Sequence, residues 1–262
     1  MAVRMQPVDY GTPTSAVNVH SAAIWETYPG DHLCYRHFDD FLSPLIMADA
    51  TAQGGYYTKQ DTGVTIQALE TIDELGGILE IANNDDDVDF GHFFLGDGVT
   101  MNLMSIATTS HKPFWFEARL KVAVLTTEIA IFIGLCEIGN VDDAGMVINT
   151  GEMKDENFLG FQTLCADTDA LLPVFKADGQ TKANGTSTAI VADTYFNVGM
   201  HGNGTIITSY INNVSKHAIT AALIAGATFP SATAMSLALM TQTGEASESA
   251  VQMDWWRFAQ LR

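Results

Sequence analysis

Basic residues are scarce: twelve Lys and Arg face 31 Asp and Glu, for a formal net charge of −19. A surface this acidic repels phosphate backbones and anionic membranes, which sets aside nucleic-acid and membrane partners. The stretch from Gln60 to His111 holds ten acidic residues and no Lys or Arg, and reads as a solvated acidic surface. Cysteine is rare as well. Cys34, Cys136 and Cys165 are odd in number, lie far apart and form no C-x-x-C pair, so they read as small buried apolar residues rather than a disulfide framework or a zinc site. Long apolar runs are missing: "HAITAALIAGATF" is too short to span a bilayer, and the start "MAVRMQPVDYGTPTSAV" lacks the apolar core of a signal peptide. Export is therefore not expected, and the Asn-x-Ser/Thr matches at Asn184, Asn203 and Asn213 carry no weight.

Helical periodicity is sparse, and short runs of β-branched and aromatic residues between glycine-rich turns take its place. With 262 residues, 47% of them hydrophobic, the chain can bury the core of one large β-sandwich. Residues 1–33 mix Pro, Gly, Thr, Ser and His without a period and read as a loop-rich N-terminal arm, leaving 34–262 as the sandwich domain. In "PFWFEARLKVAVL", Phe114, Phe116, Ala118, Leu120 and Val122 share one parity against Trp115, Glu117, Arg119 and Lys121, the pattern of a half-buried strand. "EIAIFIGLCEI" is apolar almost throughout, which suits a central strand covered on both faces. The segment "GNVDDAGMVINTGEMKDEN" that follows reads as a loop. Hairpin turns are expected at His201-Gly202-Asn203-Gly204 and at Asn212-Asn213.

The order of "YFNVGMHGNGTIITSYINNVSKHAI", a late apolar strand and a closing "MDWWRF" resembles the concanavalin A-like lectin/glucanase jelly rolls, with "HFDDF" and "FWFEARLKV" adding to the likeness over roughly residues 34–262. The resemblance implies an all-β fold: a two-sheet antiparallel jelly-roll sandwich whose C-terminal strand lies inside a sheet. Successive strand side chains alternate faces, so of Trp255 and Trp256 one packs between the sheets and the other stands on the outer face, to be covered by a loop, the arm, a ligand or another chain.

Glucanases of this superfamily place their carboxylates on one strand as E-x-D-x-x-E, and no glutamate here is followed by aspartate at i+2. "ETIDE" (Glu70, Asp73, Glu74) and "EMKDE" (Glu152, Asp155, Glu156) have the wrong parity and read as turns. Asp85, Asp87 and Asp89 in "NNDDDVDF" offer a weak set of Ca²⁺ ligands, without the glycine and terminal glutamate of an EF-hand loop. No cofactor motif is present.

Two functional expectations follow. The combination of "FDDFL", "GGILEIA", "GTIITSYINN" and "MDWWRF" also looks like lectin-fold structural proteins of tailed bacteriophages. That likeness implies a non-enzymatic capsid decoration (cement) protein on the outer surface of the virion, a homotrimer bound to the major capsid protein. The alternative is a carbohydrate-binding module or tail/fibre protein in which the displayed Trp and nearby Tyr210 stack on a glycan. Trp255, Trp256 and Tyr210 are the candidate interaction residues in either case.

Overall fold

The computed structural model describes residues 34–261, apart from 42–45, 48–50, 54, 71–76, 86–88, 97–103, 108–110, 126–127, 138–144, 148 and 247. The expected arm, 1–33, and Asp87 of the candidate Ca²⁺ set therefore lie outside the described residues. Two antiparallel sheets pack face to face. Sheet one contains β1 (Cys34–Asp39), β2 (Ile46–Met47), β5 (Thr65–Glu70), β6 (Gly77–Asn83), β9 (Phe114–Val122), β15 (Phe196–Gly202), β16 (Ile207–Ile211), β17 (Val214–Ile219) and β19 (Ser249–Leu261). Sheet two contains β3 (Thr51–Gln53), β4 (Tyr56–Gln60), β7 (Phe90–Leu95), β8 (Met104–Ser105), β10 (Ile129–Glu137), β11 (Phe158–Leu164), β12 (Asp167–Lys176), β13 (Ala183–Asn184), β14 (Thr188–Ala189) and β18 (Ala234–Thr243). A single described helix turn, α1 (Ala221–Ile224), follows β17. This is the all-β jelly-roll sandwich that the sequence pattern predicts.

Sheet one runs β17-β16-β15-β9-β19-β6-β5-β2, with β1 also on β19; sheet two runs β13-β12-β11-β10-β18-β7-β4-β3. The chain end is consequently interior. One side of β19 pairs with β9, while its other side pairs first with β6 and then with β1. Ladder bonds on both edges hold the terminal "MDWWRF", and Leu261 N donates to Pro113 O at 3.0 Å.

Parity in β9 is as expected: Phe114, Phe116, Ala118, Leu120 and Val122 enter the core between the sheets, opposite the core residues of sheet two. In β19 the parity changes partway. Register shifts between Met253 and Trp255 opposite β9, so Asp254 is an extra residue, and such a bulge turns the following side chains to the other face. Val251 and Met253 face inward before it, and Trp256 and Phe258 face inward after it. Trp256 packs against Phe93 (ring centroids 5.4 Å), Tyr56 (6.0 Å) and Phe41 (6.3 Å). It is fully buried, which corrects its place among the candidate interaction residues: a ring wholly inside the core presents nothing to a partner.

The turn expectations also hold. Asn212 and Asn213, with φ of 49° and 64°, join β16 to β17, the left-handed pair that a two-residue hairpin turn requires. Between β15 and β16, Gly204 takes φ 104°, and Asn203 Oδ1 accepts hydrogen bonds from Thr205 N at 3.0 Å and Ile206 N at 2.9 Å.

β10 is covered on both faces because the segment expected as a loop folds back over it. Met146 and Met153 bridge and join Ala130, Phe132, Cys136, Phe158, Val174 and Met240 in a second apolar cluster on the outer side of sheet two. Gln162 Nε2 donates to Gly151 O at 2.6 Å, and Lys182 pairs with Glu152. At Gly151, φ is 67° and a Cβ would stand 1.9 Å from that of Ala130, so only glycine lets this hairpin lie so close to the strand.

Candidate functional site

The outer face of sheet one collects the polar and aromatic residues that β9 and β19 turn away from the core. Facing positions in antiparallel strands share a side of the sheet, so the registers define rows. One row runs Tyr210, Gly199, Glu117, Arg257, Phe38 across β16, β15, β9, β19 and β1. The row on one side contains Thr208, His201, Trp115 and Ala259; the row on the other contains Arg119 and Trp255.

The middle of this face is electrostatically built. Arg257 donates from Nε to Glu117 Oε2 at 2.5 Å, and its Nη2 pairs with the same oxygen. The guanidinium also lies 5.0 Å from the Trp255 ring centroid. Arg119 pairs with Asp254 and stands 4.0 Å over the Tyr195 ring, and Lys121 reaches Asp193 at 3.1 Å. A planar, weakly hydrated guanidinium can pair with a carboxylate and stack on an aromatic face at once. Three cations of a chain that holds twelve, Arg119, Lys121 and Arg257, are thus each matched to a carboxylate.

The aromatic groups stand around that centre. Trp115 stacks on His201 (centroids 5.0 Å, 24°), Trp255 and Trp115 are both half-buried, and Phe38 is 58% exposed. Trp115 and Trp255 are four register positions apart, roughly 13 Å along the strands at the usual rise per residue. Tyr210 leans into the face beside the side-chain-free Gly199 and is mostly buried; burial raises its phenol pKa. Of the three candidate residues, Trp255 and Tyr210 come together here. Trp115, His201 and Tyr195 were not singled out by the sequence reading; the outward parity of Trp115 was legible, but its neighbours come from strands distant in the chain.

Sheet two presents a different outer face. The Met146–Met153 hairpin covers β10 and β11, and His92 of β7 is fully buried between Phe90 and Phe94 with neither ring nitrogen hydrogen-bonded. Burial, together with Lys154 and Lys59, holds its pKa down to about 3. Where β10, β11 and β12 meet, Asn157 Nδ2 donates to Glu137 Oε2 at 2.7 Å, and Asn157 Oδ1 accepts from Asp178 N at 3.1 Å. Burial, then the charges of Glu137, Asp178 and Asp155, push the Glu156 carboxyl up. Glu152, Asp155 and Glu156 thus lie in the hairpin and its exit, outside strands, as their spacing suggested; Asp73 and Glu74 fall outside the described residues.

Among the described residues no group of three or more His, Cys, Asp or Glu is placed to hold a metal ion. Asp89 is buried, and its carbonyl accepts from Asn83, Gln242 and Thr243 side chains, so this end of the weak Ca²⁺ set is structural. No described helix is long and apolar enough to cross a membrane.

No family model and no curated protein sequence matches the chain. Solved structures do. An endo-β-1,3(4)-glucanase of family GH16 aligns with a TM-score of 0.59 at 11% identity, covering 89% of this chain and 93% of that one. The laminarinase of Rhodothermus marinus aligns at 0.56 and 10% identity (86% and 96% covered). A LamA variant from Z. galactanivorans, solved with laminaritriose and laminaritetraose, aligns at 0.55 and 10% (86% and 98%). A protein of unknown function from Shewanella oneidensis aligns at 0.58 and 11% (91% and 92%).

The fold is that of the concanavalin A-like jelly rolls, in the form shared by glucanases and laminarinases. At such identities the likeness establishes the fold. It also corrects two expectations. The capsid-decoration reading is overturned: the structural neighbours are glucanases, laminarinases and an endo-acting O-glycanase. The exclusion of enzymatic activity falls for the same reason, because structural neighbours with this fold include glucanases and laminarinases. The homotrimer, the capsid partner and the virion location rested on the phage resemblance alone.

Proposed function

We propose that the chain is a glycan-recognising β-sandwich that binds a neutral oligosaccharide on the outer face of sheet one. The observation that carries this reading is the Glu117–Arg257–Trp255 arrangement with Trp115 about two turns of the pleat beyond it. Aromatic rings supply flat apolar contact area with little rotamer entropy to lose, and the paired guanidinium and carboxylate present fixed donors and acceptors for sugar hydroxyls. Because Arg119, Lys121 and Arg257 each have their own carboxylate, a neutral sugar meets paired charges at the centre of this face. The structural neighbours that act on β-glucans support the same ligand class.

Calorimetric titration with laminari- and cello-oligosaccharides tests the reading. Saturable binding that Trp255→Ala weakens at least tenfold supports it; absence of binding to any neutral glycan on a broad array removes it.

One observation favours a second reading, hydrolysis. Burial and the neighbouring charge of Glu137 push the Glu156 carboxyl up, and acid-assisted glycoside cleavage uses a pair of neighbouring carboxyl groups. Release of reducing sugar from laminarin that is lost in Glu156→Gln and Glu137→Gln would establish it, and its persistence in both variants would rule this pair out.

A further inference from the structure

The turn between β15 and β16 holds an exposed asparagine followed by glycine, Asn203-Gly204. In such a pair the glycine main-chain nitrogen can attack Cγ of the asparagine amide, because the ring that closes has five members and no Cβ shields the nitrogen. A Cβ at Gly204 would meet only His111 O, at 3.3 Å. Unassisted, the step is slow: the amide nitrogen is a weak nucleophile until a base takes its proton, and the carbonyl a weak electrophile until its oxygen is stabilised.

Both forms of assistance are built into this turn. Gly204 N donates to His111 Nε2 at 3.2 Å, and His111 N donates to Gly204 O at 3.2 Å, so the two residues are tied twice. A ring nitrogen that accepts a hydrogen bond carries no proton, which makes Nε2 a base within reach of the proton that must leave. His111 is buried, and burial favours its neutral form. On the electrophile, Asn203 Oδ1 accepts three hydrogen bonds, from Thr205 N at 3.0 Å, Ile206 N at 2.9 Å and Thr205 Oγ1 at 3.1 Å. Donors at these distances stabilise the oxyanion of a tetrahedral intermediate. Asn203 N donates to Ile206 O at 3.0 Å and keeps the turn closed around them.

The chain contains its own reference. Asn184-Gly185 is the same pair, and Asn184 is also exposed. There Gly185 N donates to Pro173 O at 2.7 Å, and a main-chain carbonyl is no base for an amide proton.

We propose that Asn203 is a site of fold-assisted succinimide formation, with His111 as general base and the Thr205 and Ile206 donors as oxyanion hole. His111 Nε2 takes the Gly204 proton, the bond from Gly204 N to Asn203 Cγ forms, and the Cγ–Nδ2 bond breaks. The imidazolium proton passes to the departing nitrogen, which leaves as ammonia. Water then opens the succinimide at either carbonyl and gives aspartate or isoaspartate at 203, so that the net reaction is hydrolysis of one amide. It puts a new carboxylate, or one extra main-chain carbon, at the tip of the hairpin whose β15 carries His201 to Trp115. The reaction does not require that face to bind glycan.

Peptide mapping of the full-length protein after incubation at neutral pH, by mass spectrometry that separates aspartate from isoaspartate, reads both sites side by side. In the folded protein Asn203 is expected to react at least tenfold faster than Asn184, and in urea, where the contacts are lost, the two rates should converge. His111→Gln should slow Asn203 at least tenfold and leave Asn184 unchanged. Thr205→Ala, at an exposed position, removes one donor to Oδ1 without touching the core and should slow Asn203 at least threefold; it keeps the test available should His111→Gln not fold. Equal rates at the two sites of the folded protein, a faster Asn184, or an Asn203 rate that the folded variants leave unchanged would each overturn the proposal.

Discussion

Trp256 is buried against Phe93 and Tyr56 between the sheets, while its neighbour Trp255 lies on the outer face under the guanidinium of Arg257. Adjacent tryptophans thus serve unrelated purposes, and their substitutions should separate. Trp256→Ala removes a large core ring and is expected to cost about 3–5 kcal/mol. Trp255→Ala should cost under about 1 kcal/mol and lose glycan affinity instead. Urea denaturation of both variants checks this; equal destabilisation would place Trp255 in the core as well.

Glu117 is the deepest charge on that face, held by Arg257. Glu117→Gln leaves the guanidinium without its counter-charge, and because Arg257 keeps some contact with solvent, the expected loss is about 1–3 kcal/mol. The double variant with Arg257→Gln should recover part of that loss. A double-mutant cycle measures the coupling, which should exceed the near-zero value of an exposed pair.

Stability should fall as the solution is acidified through the histidine range. His92 has a folded pKa near 3, below the unfolded value of about 6.5, so below pH 6.5 the unfolded chain binds the extra proton. The stability that neutral His92 contributes is present above pH 6.5 and declines by about 1.4 kcal/mol per pH unit toward its folded pKa. His37, His111 and His217 are also shifted downward, mainly by burial, and act in the same direction. His92→Phe should flatten the profile between pH 6.5 and 4.5 by about 2–3 kcal/mol; an unchanged slope would show that His92 does not stay neutral in the fold.

The hairpin over sheet two depends on close approach at Gly151. Gly151→Ala puts a methyl group into Ala130 at a left-handed φ and should destabilise the fold by at least about 1–3 kcal/mol. Hydrogen exchange should show the loss first in the hairpin amides, including Cys165 N, which donates to Thr150 O.

The thiols of Cys136 and Cys165 are held in their protonated form by burial, the latter with its pKa pushed up to about 11. Neither should react with a thiol reagent in the native protein at pH 8, and both should react in urea. Peptide mapping of the labelled protein distinguishes them from Cys34.

The fold was legible because the sandwich is written locally: alternation in β9, a continuous apolar run in β10 and paired asparagines at a hairpin turn each follow from short-range stereochemistry. That Trp255 and Trp256 divide between faces followed from the period of two. Which one turned inward depended on the Asp254 bulge, a mismatch with β9, and β9 lies more than a hundred residues away in the chain. The cover on β10 was implied by its apolar outer face, but the covering hairpin read as a loop because its two methionines find their partners only across the sheet. The site was less legible. His201, Tyr195 and Trp115 meet through strand register, and the phage likeness rested on loose strand motifs, which specify a sandwich without specifying what it does.

The most direct test of the account is a paired calorimetric titration of the wild-type protein and Trp255→Ala with laminarihexaose at pH 7. The account predicts one saturable site in the wild type and at least a tenfold loss in the variant, with both proteins equally folded by circular dichroism. Equal affinity in the two proteins would contradict the assignment of the outer face of sheet one as the glycan site.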